Sequence, residues 1–425
     1  MTARFSRTLL CAAAICLGAP FFVHAAADVD YAEKKNDNDI DALRRWLNDK
    51  RLITVRELGG DLSLSGEVRT EFQAFSEQRN GIMERGMGSL TGLPAYSWDV
   101  DVALALDYRT DYTWASFKIK FDNDMGVKTG TVDKIKIQKG YLGGRMVAGD
   151  TLTFDMEIGR RSLNNVYDSK IEFAALYDGI AFRLGKAFEN IGDYYFNCGP
   201  FVIDDRTNHY GAVAEMGMLR MGNVGLNAKY SVIDWKKHFS NPQKNDRYNF
   251  VVQQFLLSYQ FNPLWLGKRL IKFYGAALAN LIADDLVLYN PNRDADQNFG
   301  SQNWGWYTGV SIGTVKKAFD FAVDLNFQWA QAQAIPDYDF MGIGRGNAAR
   351  VGLYNDKLDG SGKIASTTET AVGPCNYYGF EIDMLYAFTD NLTVQENYKW
   401  SRTLNQQIGP NLKYQQFEVE FIYAF

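Results

Sequence analysis

Apolar and polar side chains take turns along most of this chain, in long runs. Leu62, Leu64, Gly66, Val68, Thr70 and Phe72 alternate with Ser63, Ser65, Glu67, Arg69, Glu71 and Gln73. Trp98, Val100, Val102, Leu104, Leu106 and Tyr108 alternate with Asp99, Asp101, Ala103, Ala105, Asp107 and Arg109. The same period returns at 117–122, 152–159, 319–329 and 380–388. Successive side chains of a strand point to opposite faces, so each run predicts a strand with one apolar and one polar face. Many runs cover ten to fourteen residues. Strands of soluble sandwiches are commonly ~5–6 residues, whereas a tilted strand crosses a bilayer in about 9–11. Length and period together predict strands whose apolar face meets lipid.

Read in order, the strands fall near 61–77, 97–109, 112–123, 132–147, 152–162, 177–187, 191–203, 208–221, 224–237, 247–262, 269–283, 304–313, 318–334, 376–388, 391–403 and 413–425. That makes about sixteen, with fourteen or eighteen as the neighbouring counts. Every second connection is short: near Asp111, at 148–151, 188–191, 222–223, 262–268 and 315–317, and near Asp390. The others are mostly longer, reaching about twenty residues at 284–303 and about forty at 335–375. Transmembrane barrels are built with short periplasmic turns and longer outer loops. The predicted fold is therefore all-β, a transmembrane antiparallel up-and-down β-barrel over 61–425. Glu396 breaks the pattern by sharing the apolar face of Leu392, Val394, Tyr398 and Trp400. It calls for a place near the interface or a bulge that shifts the register. The stretch 264–283 is apolar on both faces, with Tyr274, Ala276 and Leu278 reading toward the lumen beside Asn280.

Residues 1–27 read as an export signal. Arg4 and Arg7 precede the apolar stretch Leu9 to Phe22, and Val23-His24-Ala25 or Ala25-Ala26-Ala27 offers a small-residue cleavage site. No later run of eighteen apolar residues provides a spanning helix. Residues 28–60 are expected to form a periplasmic N-terminal segment with a short helix at 39–49, where Ile40, Leu43, Trp46 and Leu47 share a face. That helix would dock under the barrel or pack on a neighbour, a plug in the lumen being the alternative.

At the far end, Phe417, Val419, Phe421, Tyr423 and Phe425 alternate with Glu418, Glu420, Ile422 and Ala424. This ending resembles the closing strand of Gram-negative outer-membrane β-barrels. The resemblance places the chain in the cell outer membrane of a Gram-negative bacterium, with Phe421, Tyr423 and Phe425 as the insertion end presented to the barrel-assembly machinery. Aromatics at 14% and 38 glycines against 9 prolines suit many strands. The net charge of −5, which becomes −7 without Arg4 and Arg7, argues against nucleic-acid binding.

A barrel of this strand number encloses an aqueous channel, so its inward residues carry the function. Early strands point bases inward: Arg69, Arg109, Lys118, Lys120, Lys134, Lys136, Arg161, Arg183 and Lys229. Late strands point acids inward: Asp320, Asp324, Glu381, Asp383, Glu418 and Glu420. Segregated walls would lay a transverse field across the pore; alternatively, facing acids and bases pair and neutralise. Ile158-Gly159-Arg160-Arg161, the loop Leu163–Leu176 and Tyr177-Asp178-Gly179-Ile180-Ala181-Phe182 resemble general porins of Gram-negative bacteria over about twenty-five residues. The resemblance implies a third loop folded inward, with Asp168 and Glu172 facing Arg160 or Arg161 and Arg69 across a constriction. The chain lacks a Pro-Glu-Phe-Gly-Gly type of turn at the loop tip.

Catalytic alternatives rest on little. A hydrolase needs a base near a nucleophile, and beyond the signal only His209 and His238 are present, with Asp204 and Asp205 just before His209. Two His and two Cys lie scattered, without metal spacing. Gly342-Ile343-Gly344-Arg345-Gly346 sits inside a long outer loop rather than between a strand and a helix. Cys198 and Cys375 both fall on the outer side, where they could pair, bridge to neighbours or stay free. The long seventh loop, with Tyr338, Phe340, Arg350, Tyr354 and Asp359, could bind a host surface or cover the mouth. The expected function is passive diffusion of small hydrophilic solutes or ions, with no cofactor and no chemical step. Outer-membrane lipid surrounds the barrel, and a homotrimer is one possible assembly. A surface adhesin or structural barrel, and a hydrolase built on His209, are the alternatives.

Overall fold

The computed structural model describes residues 60–89, 94–124, 134–149, 152–188, 191–204, 209–222, 224–237, 250–267, 269–290, 295–336, 339–344 and 375–425, with the backbone of 53–57. The expected signal at 1–27 and helix at 39–49 lie outside these residues. In the first half the strands are β1 (Ile53–Glu57), β2 (Gly60–Arg79), β3 (Ile82–Arg85), β4 (Tyr96–Arg109), β5 (Thr113–Asp124), β6 (Lys134–Ala148), β7 (Leu152–Ser162), β8 (Leu176–Phe188), β9 (Gly192–Asp204) and β10 (His209–Met221). There follow β11 (Leu226–Lys237), β12 (Phe250–Phe261), β13 (Ile271–Asn280), β14 (Val287–Asn290), β15 (Ala295–Asn298), β16 (Trp304–Gly313), β17 (Phe321–Ala330), β18 (Tyr377–Ala387), β19 (Leu392–Thr403) and β20 (Leu412–Ala424).

Setting aside the short β1, β3, β14 and β15, sixteen long strands each pair antiparallel with their neighbours in the chain. The last returns to the first, from Glu67 opposite Ala424 to Arg79 opposite Leu412, so the sheet closes without an edge. All sixteen expected strands are present. Below the end of β20 the free side of β2 is taken by β1, with Ile53 opposite Leu64; this stretch was expected in the periplasmic segment. Phe425 seals the seam, exchanging backbone hydrogen bonds of 2.9 Å with Gly66 in both directions. Its ring fills the space that a Cβ on Gly66 would occupy, so only glycine leaves room there.

The predicted alternation holds around the wall. Trp98, Leu104, Leu106, Phe255, Phe273, Leu325 and Phe421 point outward and are exposed, while Ala103, Ala105, Leu278, Asp324 and Glu420 point inward and are buried. Aromatic pairs gather in two bands, as rings do at the two interfaces of a membrane. Phe72–Trp98 (4.6 Å), Trp306–Phe327 (5.4 Å) and Phe380–Trp400 (5.5 Å) lie toward the loop side. Tyr259–Phe261 (5.5 Å) and Tyr386–Phe388 (4.9 Å) lie toward the turn side. Glu396 stays on the outward face, opposite Met384 and Val419 in an unbroken register; no bulge rescues it. It lies in the lower part of β19, as the fifth residue of the strand.

One side of the lumen is filled. Leu163, Val166, Tyr167, Ile171 and Phe173 of the third loop form one cluster with Val213, Ile233, Trp235, Phe250, Val252, Leu256 and Leu278 of the inner wall. Each such side chain removed from water contributes roughly 1.5–3 kcal/mol. The third loop therefore folds into the barrel.

Candidate functional site

The third loop, residues 163–175, leaves β7 with a 3-10 turn, Leu163–Asn165, and runs along the inner wall formed by β10 to β17. Polar contacts fix it there. Asp168 pairs with Lys229 of β11 at 2.9 Å, and its carbonyl oxygen accepts from Gln254 Nε2 of β12 at 2.8 Å. Lys170 pairs with Asp324 of β17. The Leu163 N–H closes the loop on the Ala175 carbonyl at 3.0 Å. Asp324 also accepts from Tyr274 Oη (2.7 Å) and Ser311 Oγ (3.0 Å).

Burial alone would raise the Asp168 carboxyl, but the Lys229, Lys272 and Lys170 ammonium groups hold it well below the usual range. Burial likewise opposes charge on Lys170, yet Tyr274, Asp324 and Glu381 raise it well above the ordinary lysine value. Both side chains are thus held as ions at the middle of the loop.

The seventh loop follows the third inward. The Ala174 N–H donates to the Asp339 carbonyl and the Met341 N–H to the Ile171 carbonyl, both at 3.1 Å. The Ala175 N–H reaches Asp339 Oδ1 at 3.1 Å. Ile343 and Phe340 pack with Tyr377 and Ala330, and the Ile343 N–H donates to Gln328 Oε1 at 3.1 Å. Gly342 and Ile343 thus serve inside the barrel. Tyr338, Arg350, Tyr354 and Asp359 lie outside the described residues.

The opposite wall, from β18 through β20 and β2 to β7, carries the charged side chains left facing the lumen. Arg69 bridges the closing seam, with Nη1 on Glu420 at 3.0 Å and Nη2 on Glu67 at 2.9 Å. Lys118 reaches Glu67 at 2.9 Å and Lys120 pairs with Asp101. Arg161 pairs with Glu157 and stacks on Tyr141, its guanidinium carbon 4.3 Å from the ring centre. Arg183 joins the same Glu157 at 3.5 Å, and Trp114 Nε1 donates to it at 2.9 Å. Lys399 lies 3.9 Å from Glu418 and 4.0 Å from Glu381. Gln395 Nε2 donates to both oxygens of Asp383, at 3.0 Å. Glu71 lies among the carboxyls of Glu418, Glu420, Asp99 and Asp101.

Neighbouring acids and bases pair, but carboxyls dominate β18 to β4 and cations dominate β5 to β8. Lys136 stands opposite Lys120 in register, and Lys139 opposite Lys118. The side chain of Lys134 lies outside the described set.

Several expected site residues sit elsewhere. Arg160 points outward and pairs with Asp178 at 2.6 Å on the exposed face, because it shares the parity of Ile158, not that of Glu157. Asp168 and Glu172 do not face Arg161 or Arg69: the apolar side of the loop draws them to the far wall. Glu172 is fully buried beside Asp339. Asp320 lies in the turn before β17, accepting the Lys316 and Lys317 N–H groups at 3.1 Å. Arg109 is an exposed side chain at the turn-side end of β4.

Cys198 and Cys375 are both free thiols. Cys198 lies within β9 opposite Phe182 and Ala214, and Cys375 is buried, its Sγ donating to the Ile335 carbonyl at 3.2 Å. His209 is buried with its ring 6.4 Å from that of Trp235, inside the packed side of the lumen. Lys170, Lys272, Tyr141, Asp339 and Lys399 complete the site and were not singled out in the sequence. The readable signal was that β10 to β13 are apolar on both faces.

A closed sixteen-stranded antiparallel barrel with an inward third loop is the fold of outer-membrane porins. Among solved structures the chain is similar to OprB of Pseudomonas putida, at 12% identity and a TM-score of 0.51, covering 91% of this chain and 97% of that one. Two others are OmpF of Salmonella typhi, solved with daunomycin (9%, TM-score 0.49, 88% and 100%), and the channel DcaP of Acinetobacter baumannii (12%, 0.46, 87% and 99%). No family model and no curated protein matches the sequence.

Proposed function

We propose that the chain is an outer-membrane channel for passive diffusion of small hydrophilic solutes or ions. The observation that carries this reading is the division of the lumen. Buried apolar contacts hold the third and seventh loops against β10 to β17, and the remaining wall is lined with charged side chains. A solute passing between loop and wall meets carboxyls from β18 to β4 and cations from β5 to β8. Such a field turns a polar solute and strips loosely held water from it. Flux follows the gradient, and no residue needs to perform a chemical step. The outward apolar face with its two aromatic bands supports lipid as the surroundings, and the Phe421, Tyr423, Phe425 end supports delivery by the barrel-assembly machinery. Reconstitution into planar bilayers tests the reading: stepwise conductance is expected. A folded, inserted barrel that stays silent would replace it with an adhesin or structural role carried by the outer loops.

A further inference from the structure

Where the third loop meets the seventh, two carboxyls are enclosed together. Glu172 and Asp339 are both fully buried. Among the described residues neither Glu172 oxygen has a hydrogen-bond partner, and neither does Asp339 Oδ2; Asp339 Oδ1 accepts from the Ala175 N–H. Asp339 is the charged group that acts on Glu172. Among the described residues, nearby ionisable groups are engaged elsewhere: Asp168 with Lys229, Lys170 with Asp324, and Cys375 with the Ile335 carbonyl. Lys272 of β13 acts on Asp168, not on this pair. The backbone here is under tension as well. Phe173, next to Glu172, is a fully buried non-glycine residue at φ 77, a conformation that persists only where its surroundings enforce it.

We infer that Glu172 and Asp339 form a proton-held latch that keeps the constricting third loop on the seventh, and that losing its proton at alkaline pH releases the loop. Two ionised carboxylates in one enclosed site repel and lack solvent, so the closed junction needs at least one of them neutral. Burial, then the neighbouring Asp339, pushes Glu172 well above the ordinary carboxyl range; burial pushes Asp339 up to about 8. In the released loop both groups are solvated and titrate normally. The closed form therefore binds more protons than the open one. Its advantage is complete below the ordinary carboxyl range and drains away as the pH rises through about 8. The phenylalanine held at positive φ can then relax.

Single-channel conductance of the reconstituted full chain, followed from about pH 6 to about pH 10, reads the latch. A reversible rise in conductance on the alkaline side is expected, and it should vanish in the double variant Glu172→Gln with Asp339→Asn, whose junction stays neutral throughout. The wall carboxyls titrate in their own right, so the difference between parent and variant isolates the junction. Should the variant fail to insert, amide exchange of 163–175 in the unaltered protein gives the same answer, with protection lost on the alkaline side. A parent without the alkaline rise, or a variant that keeps it, overturns the latch. So does a transition set by added calcium or by chelator at constant pH, which would make the pair a cation site.

Discussion

Replacing Asp168 by Asn leaves Lys229 buried and without its counter-charge. The pair is separated by 2.9 Å, and its side chains are only 12% and 5% exposed. At an effective dielectric near 20 the direct attraction at that distance is about 6 kcal/mol, much of it offset by desolvation. Breaking a buried pair by removing one partner costs about 3–5 kcal/mol, because the other charge stays enclosed. Tenfold per ~1.4 kcal/mol turns this into a detached third loop roughly a hundred to a few thousand times more populated. Limited proteolysis and amide exchange of 163–175 in detergent micelles would register it directly, and single-channel records should become noisier. Combining Asp168→Leu with Lys229→Met removes both charges and is expected to restore most of the protection. The pH response has the opposite sign to that of the latch. Asp168 is held below the ordinary carboxyl range, so its contribution is intact above that range and is lost only as strong acid reaches the lowered value. Unchanged protection in Asp168→Asn would refute the idea that the ion pair holds the loop.

Other outcomes follow from the wall. Arg69→Met leaves Glu67 and Glu420 enclosed at the seam without their shared cation, so the barrel should lose about 3–5 kcal/mol and unfold at lower temperature in heat-modifiability gels; an unshifted transition would count against the seam bridge. Lys118→Glu with Lys120→Glu puts acids on the cationic side, and reversal potentials in a salt gradient should move toward cation preference. Gly179→Ala places a Cβ against the Pro200 carbonyl of the neighbouring strand, so folded yield should fall even though the substituted residue is small.

Much of the architecture is written in the two-residue period, because lipid accepts only one face of each strand. That constraint made all sixteen strands legible, along with the closing Phe425 and the inward direction of Arg69, Lys118, Asp324 and Glu420. Arg160 shows how sharp the rule is: one residue from Arg161, it lies on the other face. The sequence did not show where the loops would go. Local pattern says nothing about which of several inward apolar strands a loop will cover, and the Asp168–Lys229 and Lys170–Asp324 pairs join residues 61 and 154 positions apart. Only closure of the barrel brings those strands beneath the third loop. The same closure sets Asp339 beside Glu172, across a stretch of chain too long for spacing to anticipate. The hint that could have been read was chemical rather than periodic: an inner wall bearing Val213, Ile233, Trp235 and Leu278 cannot be left to water, so something had to fold in and cover it.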